Sequence, residues 1–209
     1  MQKEKKKLAK ILLDLDLVKI ASSKEEYFLY ASGARGPIYC DNRPLISYVS
    51  EREWVMQYWW QEIQQKCPSL QAMVALATAG IPHGAWLAQL AKLPCAYIRA
   101  KAKDHGQNRL LEGKLSANSK IILIEDLVNR GSSSLPAVTH LKSLSFEVLG
   151  ISSLVSYGFA NVKKQFKALD VSLWPLITLE EILRVAELEN KIPLNQINEV
   201  RRWQENEGL

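Results

Sequence analysis

The segment IILIEDLVNRGSSSLPAV, residues 121–138, gathers the residue types needed to read a phosphorylated sugar. An apolar, β-branched run, Ile121–Ile124, ends in two adjacent carboxylates, Glu125 and Asp126. A short loop turns at Gly131, and Ser132, Ser133 and Ser134 then open a predicted helix. A helix N-terminus exposes unpaired N–H groups and about half a positive charge, which makes it a ready phosphate site. Serine hydroxyls add donors there. The carboxylates cannot bind phosphate, but they suit ribose hydroxyls or the waters of a bound magnesium ion. The loop is neither a Walker loop, because no GKS or GKT is present, nor the GxGxxG of dinucleotide folds. Taken alone, the segment also fits a plain strand end followed by a serine-capped helix.

A second concentration lies upstream, where Arg99, Lys101, Lys103, His105 and Arg109 fall within eleven residues. Cations placed where negative charge develops lower a reaction barrier, and a histidine can exchange a proton near neutral pH. The stretch is long and polar, with Gly106 and Gly113, as suits a lid that closes and excludes water. A solvated loop would look the same in isolation. A third feature is the turn Thr78-Ala79-Gly80-Ile81, where Gly80 permits a close backbone approach. Alone it is an ordinary strand-to-helix turn.

These three places must be held by a scaffold, and the hydrophobic pattern supplies one. Leu8, Ile11, Leu12 and Leu15 repeat at helical spacing, as do Trp54, Val55, Tyr58, Trp59 and Ile63. Buried strands are expected at Met73–Ala77, Ala96–Arg99, Ile121–Ile124, Glu147–Val155 and near Val171–Leu176. Helices are expected at about His83–Lys92, Ser133–Leu144 and Asn161–Leu169. Thr178 and Glu181 form a capping box that opens another helix, and Pro193 stands where a last one starts. Strands alternating with helices predict an α/β fold with a mostly parallel sheet flanked by helices. In such sheets ligands sit at the carboxyl ends of the strands, which is where all three chemical segments fall. The aromatic stretch YFLYASGARGPIYCDNR predicts short strands broken by Gly33, Gly36 and Pro37.

Composition narrows the class without choosing the ligand. A chain of 209 residues with 47% hydrophobic content fits one domain. No apolar run reaches the ~20 residues of a spanning helix. Asp14 and Asp16 interrupt the apolar part of the N-terminus, so it reads as an amphipathic helix rather than a signal peptide. The three cysteines, Cys40, Cys67 and Cys95, lack the spacing of a zinc site or disulfide framework and suit a reduced, cytoplasmic setting. The net charge of +5 is compatible with nucleic acid or with a small polyanion. The start KEKKK reads as a frayed helix end.

With these residues in view, the chain resembles the type I phosphoribosyltransferases, whose phosphate loop commonly reads VVVIEDLISTGGSS. Three further segments narrow the resemblance to orotate phosphoribosyltransferase: YASGARGPIYCDNR, ALATAGIPHGAWLA (similar to ATAGIPHAA) and YIRAKAKDHGQNRLLEG (similar to RSKAKDHGxxNxIEG). They keep the family's order and together span roughly residues 28–160.

The resemblance implies transfer of ribosyl phosphate from 5-phosphoribosyl 1-pyrophosphate (PRPP) to orotate, giving orotidine 5'-monophosphate for pyrimidine synthesis. Magnesium would be held mainly by the pyrophosphate, with no dedicated protein cage. The implied PRPP contacts are Thr78, Ala79, Gly80, Arg99, Lys101, Lys103, His105 and the run Glu125, Asp126, Leu127, Val128, Asn129, Arg130, Gly131, Ser132 and Ser133. Lys103, His105 and Asp126 are the implied catalytic residues. Orotate would meet Tyr39, Cys40, Asn129 and Tyr157, with Cys40 a packed residue rather than a nucleophile. Residues 1–209 would form a single domain, residues 1–45 adding a hood over the base. A cytoplasmic homodimer sharing the lid between subunits is also implied, with no nucleic acid or membrane partner. The alternative is a PRPP-binding regulator of the same fold without chemistry. A purine-using relative is disfavoured by IYCDNR.

The departures from the family pattern are Arg130 for a small residue, Ser132 for Gly or Thr, and Ala75 where Gly is common. Ala31 and Tyr157 replace a Lys and an Arg of some members. Ser132 would cost about 1–2 kcal/mol if held left-handed and nothing if helical. Arg130 could clamp phosphate or point outward.

Overall fold

The computed structural model describes residues 3–30, 33–99 and 110–207. Its elements run α1 (Lys3–Asp14), β1 (Val18–Ile20), β2 (Phe28–Leu29), β3 (Arg35–Gly36), β4 (Ile38–Cys40), α2 (Val49–Lys66), β5 (Ala72–Leu76), α3 (Gly80–Ala91), β6 (Cys95–Ile98) and β7 (Leu111–Glu112). Then follow β8 (Lys120–Val128), α4 (Ser134–Ser143), β9 (Glu147–Ser156), α5 (Ala160–Ala168), β10 (Ser172–Thr178), α6 (Leu179–Leu188) and α7 (Leu194–Glu207).

Among the described residues, six strands form one sheet in the order β10-β9-β8-β5-β6-β7, and only β7 runs antiparallel to its neighbour. The expected mostly parallel α/β sheet is therefore present. The central strands read as continuous apolar runs because helices cover both faces: every residue of β5 and the run Ile121–Ile124 are buried. The chain leaves β5 toward β6 but leaves β8 toward β9. Right-handed crossovers then put α3 and α4 on opposite faces. The order reverses between β5 and β8, and this switch point is where an open α/β sheet forms its crevice.

Two boundaries differ informatively from the sequence reading. Helix α3 begins at Gly80 rather than His83, because Pro82 lies in the first turn, where its missing N–H would have had no helical partner. Strand β8 does not stop at Ile124. It pairs with β9 as far as Val128↔Ser156, so Glu125 and Asp126 lie inside the strand. The Thr178–Glu181 capping box is present in both directions. At the N-terminus, Lys5 pairs with Glu181 at 2.7 Å, and Lys6 and Lys10 pair with Glu189 at 2.8 and 3.0 Å. The basic start is thus a helix docked on α6, not a frayed end.

One departure noted in the sequence has a packing reason. A methyl on Gly84 would come within 2.6 Å of the Ala75 methyl. Ala75 stands where the family commonly has Gly, and Gly84 stands where ATAGIPHAA has Ala. The two changes move one methyl across the same α3–β5 contact.

Short antiparallel pairs, β1 with β4 and β2 with β3, lie between α1 and α2 in the chain. They carry Tyr39 and Cys40 and are tied to the main sheet by Asn42.

Candidate active site

Strand β8 delivers the acids into the crevice. Glu125 is 6% exposed and hydrogen-bonded to the Asp126 carboxyl. Ser133, the residue before α4, places Oγ 3.4 Å from Glu125 Oε2. Burial, and then the charge of Asp126, push the Glu125 carboxyl well above the carboxylate range. Burial also raises Asp126, opposed chiefly by its hydrogen bond to Glu125. Of the two, Glu125 is the one that favours its protonated form. The pair is poised to bond to polyhydroxyl groups as acceptor and donor at once.

The phosphate loop follows. Gly131 takes the left-handed turn, at φ 74°. Ser132 is not among the residues with positive φ, so it carries no left-handed strain. Ser133 is already helical, at φ −90° and ψ −44°. Asn129 presents a buried Oδ1 with no hydrogen-bond partner among the described residues, as a ligand contact would. Across the switch point, a methyl on Gly80 would lie 2.7 Å from the Ile124 carbonyl and 3.5 Å from Glu125 Cα. The turn Thr78–Gly80 and the acid pair are thus adjacent, with the absent Gly80 side chain setting their separation.

The base of the cationic segment is also defined. Arg99 N–H donates to the Leu110 carbonyl at 2.9 Å, continuing the β6–β7 ladder on either side of the segment. The Arg99 guanidinium meets the Tyr97 hydroxyl at 3.2 Å and Glu112 at 3.4 Å. Lys101, Lys103, His105 and Arg109, like Ser32 of the base stretch, lie outside the described residues.

Asn42 is the residue whose role the sequence reading missed. It is fully buried, and its Nδ2 donates to the Asp126 main-chain carbonyl at 2.9 Å while its Oδ1 accepts from the Cys40 thiol at 3.5 Å. One side chain thereby fixes β4 against β8. The available signal was its position, a polar residue two places after the strand in IYCDNR. Ser153, which pairs with Glu125 across β8 and β9, is a second buried polar group that the pattern did not single out.

No protein-family profile matches the chain. The curated orotate phosphoribosyltransferase of Cytophaga hutchinsonii, however, is 36% identical over 203 residues, covering 97% of this chain and 96% of its own. The chain belongs to the orotate phosphoribosyltransferase family. The Streptococcus agalactiae member is likewise 36% identical over 202 residues, covering 97% of this chain and 96% of its own. Among solved structures, Leishmania donovani UMP synthase superposes with a TM-score of 0.82 at 23% identity, over 96% of this chain and 42% of that one. The chain thus spans less than half of that protein. Aeropyrum pernix orotate phosphoribosyltransferase superposes with a TM-score of 0.75 at 24% identity, over 89% of this chain and 99% of its own. These two likenesses show the fold.

Three of the expected site residues are engaged by protein partners. Tyr157, expected against orotate, is 2% exposed and packs edge-on to Phe159 and Trp203. Its hydroxyl meets the Cys40 main chain, so it packs behind β4. Val128 is buried, and its carbonyl accepts from Tyr157 N–H at 3.0 Å. The Arg130 guanidinium is turned to Glu207 and to the Phe159 ring, 5.8 Å away. Cys40 is buried and its thiol is pushed up by burial, consistent with a packed residue rather than a nucleophile. Tyr39 stacks obliquely on Phe28 at 5.6 Å.

Proposed function

We propose that this chain transfers the ribosyl phosphate of PRPP to orotate, releasing pyrophosphate and forming orotidine 5'-monophosphate. The observation that carries this reading is the acid pair Glu125–Asp126 set beside Ser133 at the mouth of α4, in a chain whose curated relatives are named for this activity over nearly their whole length. The acid pair grips the ribose hydroxyls. The amides and hydroxyls from Asn129 to Ser133 hold the 5'-phosphate, and the Thr78–Gly80 turn meets the pyrophosphate. The ribose C1' develops oxocarbenium character as pyrophosphate departs, and the orotate ring nitrogen captures it. Lys103, with Arg99, Lys101 and His105, neutralises the leaving charge while the lid excludes water. Positioning and electrostatics supply most of the rate.

The donor set suits a magnesium ion bound largely through substrate phosphates and water, with one or two carboxylates nearby. Bound there, magnesium would neutralise the pyrophosphate charge. The base lies under β4, with Asn129, Tyr39 and the Cys40 main chain around it.

A second copy of the chain completes the lid. The exposed Val49 begins a helical strip through Arg52 and Met56. That strip faces Trp86 and the exposed Leu90 across a groove of about 440 Å³, with Arg52 stacked 4.5 Å over Trp86. A face that sets Trp86, Leu90 and the stacked Arg52 among the polar Glu53, Gln57 and Gln89 suits a homodimer. Among the described residues no helix is long and apolar enough to cross a membrane, and the reaction belongs to the cytoplasm. The test is the fall in orotate ultraviolet absorbance with PRPP and magnesium; PRPP binding without turnover would favour the regulator.

A further inference from the structure

Helix α7 contributes neither acid nor phosphate-loop residue, yet it touches three walls of the site. Its Trp203 ring lies 6.2 Å from Tyr30 of the hood, and 6.0 and 5.7 Å from Tyr157 and Phe159 after β9. Tyr27, at the edge of the hood, donates its hydroxyl to Glu199 at 2.5 Å. Gln204 Nε2 donates to the Tyr157 carbonyl. The last described residue of α7, Glu207, pairs with Arg130, the large side chain that replaces a small one in the phosphate loop.

We infer that α7 is a clamp holding the phosphate loop in register with the base hood, and that the Arg130–Glu207 pair is its strut. Arg130 and Glu207 are then positioning residues for the transfer. The inference rests on the reading that residues 129–133 take the 5'-phosphate. The guanidinium is fixed from two directions, by the Glu207 carboxylate and by the Phe159 ring. A planar cation held this way restrains its own backbone. That backbone leads directly into Gly131, which has no side chain to restrain it. The ring of Trp203 carries the same restraint to Tyr30, whose hydroxyl donates to the Ile38 carbonyl of β4 at 2.6 Å. Phosphate loop and base strand are thereby fastened to one helix, so the distance between the two ends of the bound nucleotide is set partly by α7. The charge pair is partly exposed, so its effect should appear in binding geometry more than in fold stability.

The test is steady-state kinetics on Arg130→Ala, Glu207→Gln and the double variant, with thermal melting alongside. Both single variants should raise KM for PRPP by about three- to tenfold, and the double variant by no more than the larger single effect, as coupled residues do. The KM for orotate should rise with it, kcat should hold within about twofold, and melting should be little changed. The swapped pair Arg130→Glu with Glu207→Arg should recover part of the loss. If Glu207→Gln leaves KM for PRPP unchanged or lowers it while Arg130→Ala raises it, Arg130 is a direct phosphate ligand and the clamp is wrong. Ser133→Ala separates this inference from the reading beneath it. An unchanged PRPP KM there overturns the phosphate-loop assignment itself. A raised KM there, with Glu207→Gln silent, overturns the clamp alone.

Discussion

Replacing Gly80 with alanine should damage catalysis far more than its stability cost alone would suggest. The added methyl would sit 2.7 Å from the Ile124 carbonyl. That carbonyl belongs to a central strand paired on both sides, so it cannot swing away, and the first turn of α3 must lift instead. Overpacking of this kind costs about 1–3 kcal/mol. For a chain of this length each kcal/mol lowers Tm by about 2–4 °C, so melting should fall by roughly 2–12 °C. Gly84→Ala is the matched comparison. Its methyl meets Ala75 Cβ at 2.6 Å, one turn deeper in α3, and Ala75→Gly should relieve it. The two glycine variants should therefore melt lower by comparable amounts. Assayed well below either Tm, Gly80→Ala should lose roughly ten- to a hundredfold in kcat/KM for PRPP, because it displaces the pyrophosphate turn from the acid pair. Gly84→Ala should stay within about threefold. If Gly80→Ala melts low but turns over normally, the Thr78–Gly80 turn does not handle substrate. If its Tm is unchanged, the contact with Ile124 is not tight.

Glu125→Gln should change the pH dependence of stability as well as activity. The folded Glu125 carboxyl lies well above its ordinary 4.5. Its contribution is therefore complete below pH 4.5 and is lost as pH rises through the folded value. The glutamine variant, scanned for Tm against pH without ligand, should decline less toward alkaline pH and melt above the parent there, while losing PRPP binding; parallel curves would show that Glu125 is not held protonated. Asn42→Ala strands the Asp126 carbonyl and frees β4, and should cost about 1–3 kcal/mol while raising KM for orotate. Melting combined with orotate kinetics checks this, and a silent variant would mean that the hood is located by other contacts.

The chemistry was legible in the sequence where a local pattern carried it: an apolar run into Glu125–Asp126, a glycine turn, serines at a helix mouth. The parallel sheet was legible for the same reason, since buried strands read as unbroken apolar runs. What the pattern could not convey was long-range. Nothing near Asn42 reveals that its amide reaches Asp126, 84 positions away, and nothing near Arg130 reveals Glu207. The continuation of β8 through both acids depended on hydrogen bonds offered by β9, which propensity at Glu125 and Asp126 would not suggest. Nor does the sequence near Tyr157 reveal that its ring is buried against Phe159 and Trp203. Arg130 and Ser132, which looked like strains on the phosphate loop, are accommodated by a partner on α7 and by Gly131 taking the left-handed turn.

The most direct measurement is orotate ultraviolet absorbance in purified protein, with PRPP and magnesium added separately and together, for the parent chain and Lys103→Ala. The expected result is a fall that requires both additions and is nearly abolished in the variant, while the variant still binds PRPP. No fall in the parent despite saturable PRPP binding would contradict the enzyme and leave a PRPP-binding regulator; an undiminished rate in Lys103→Ala would contradict the role of the lid.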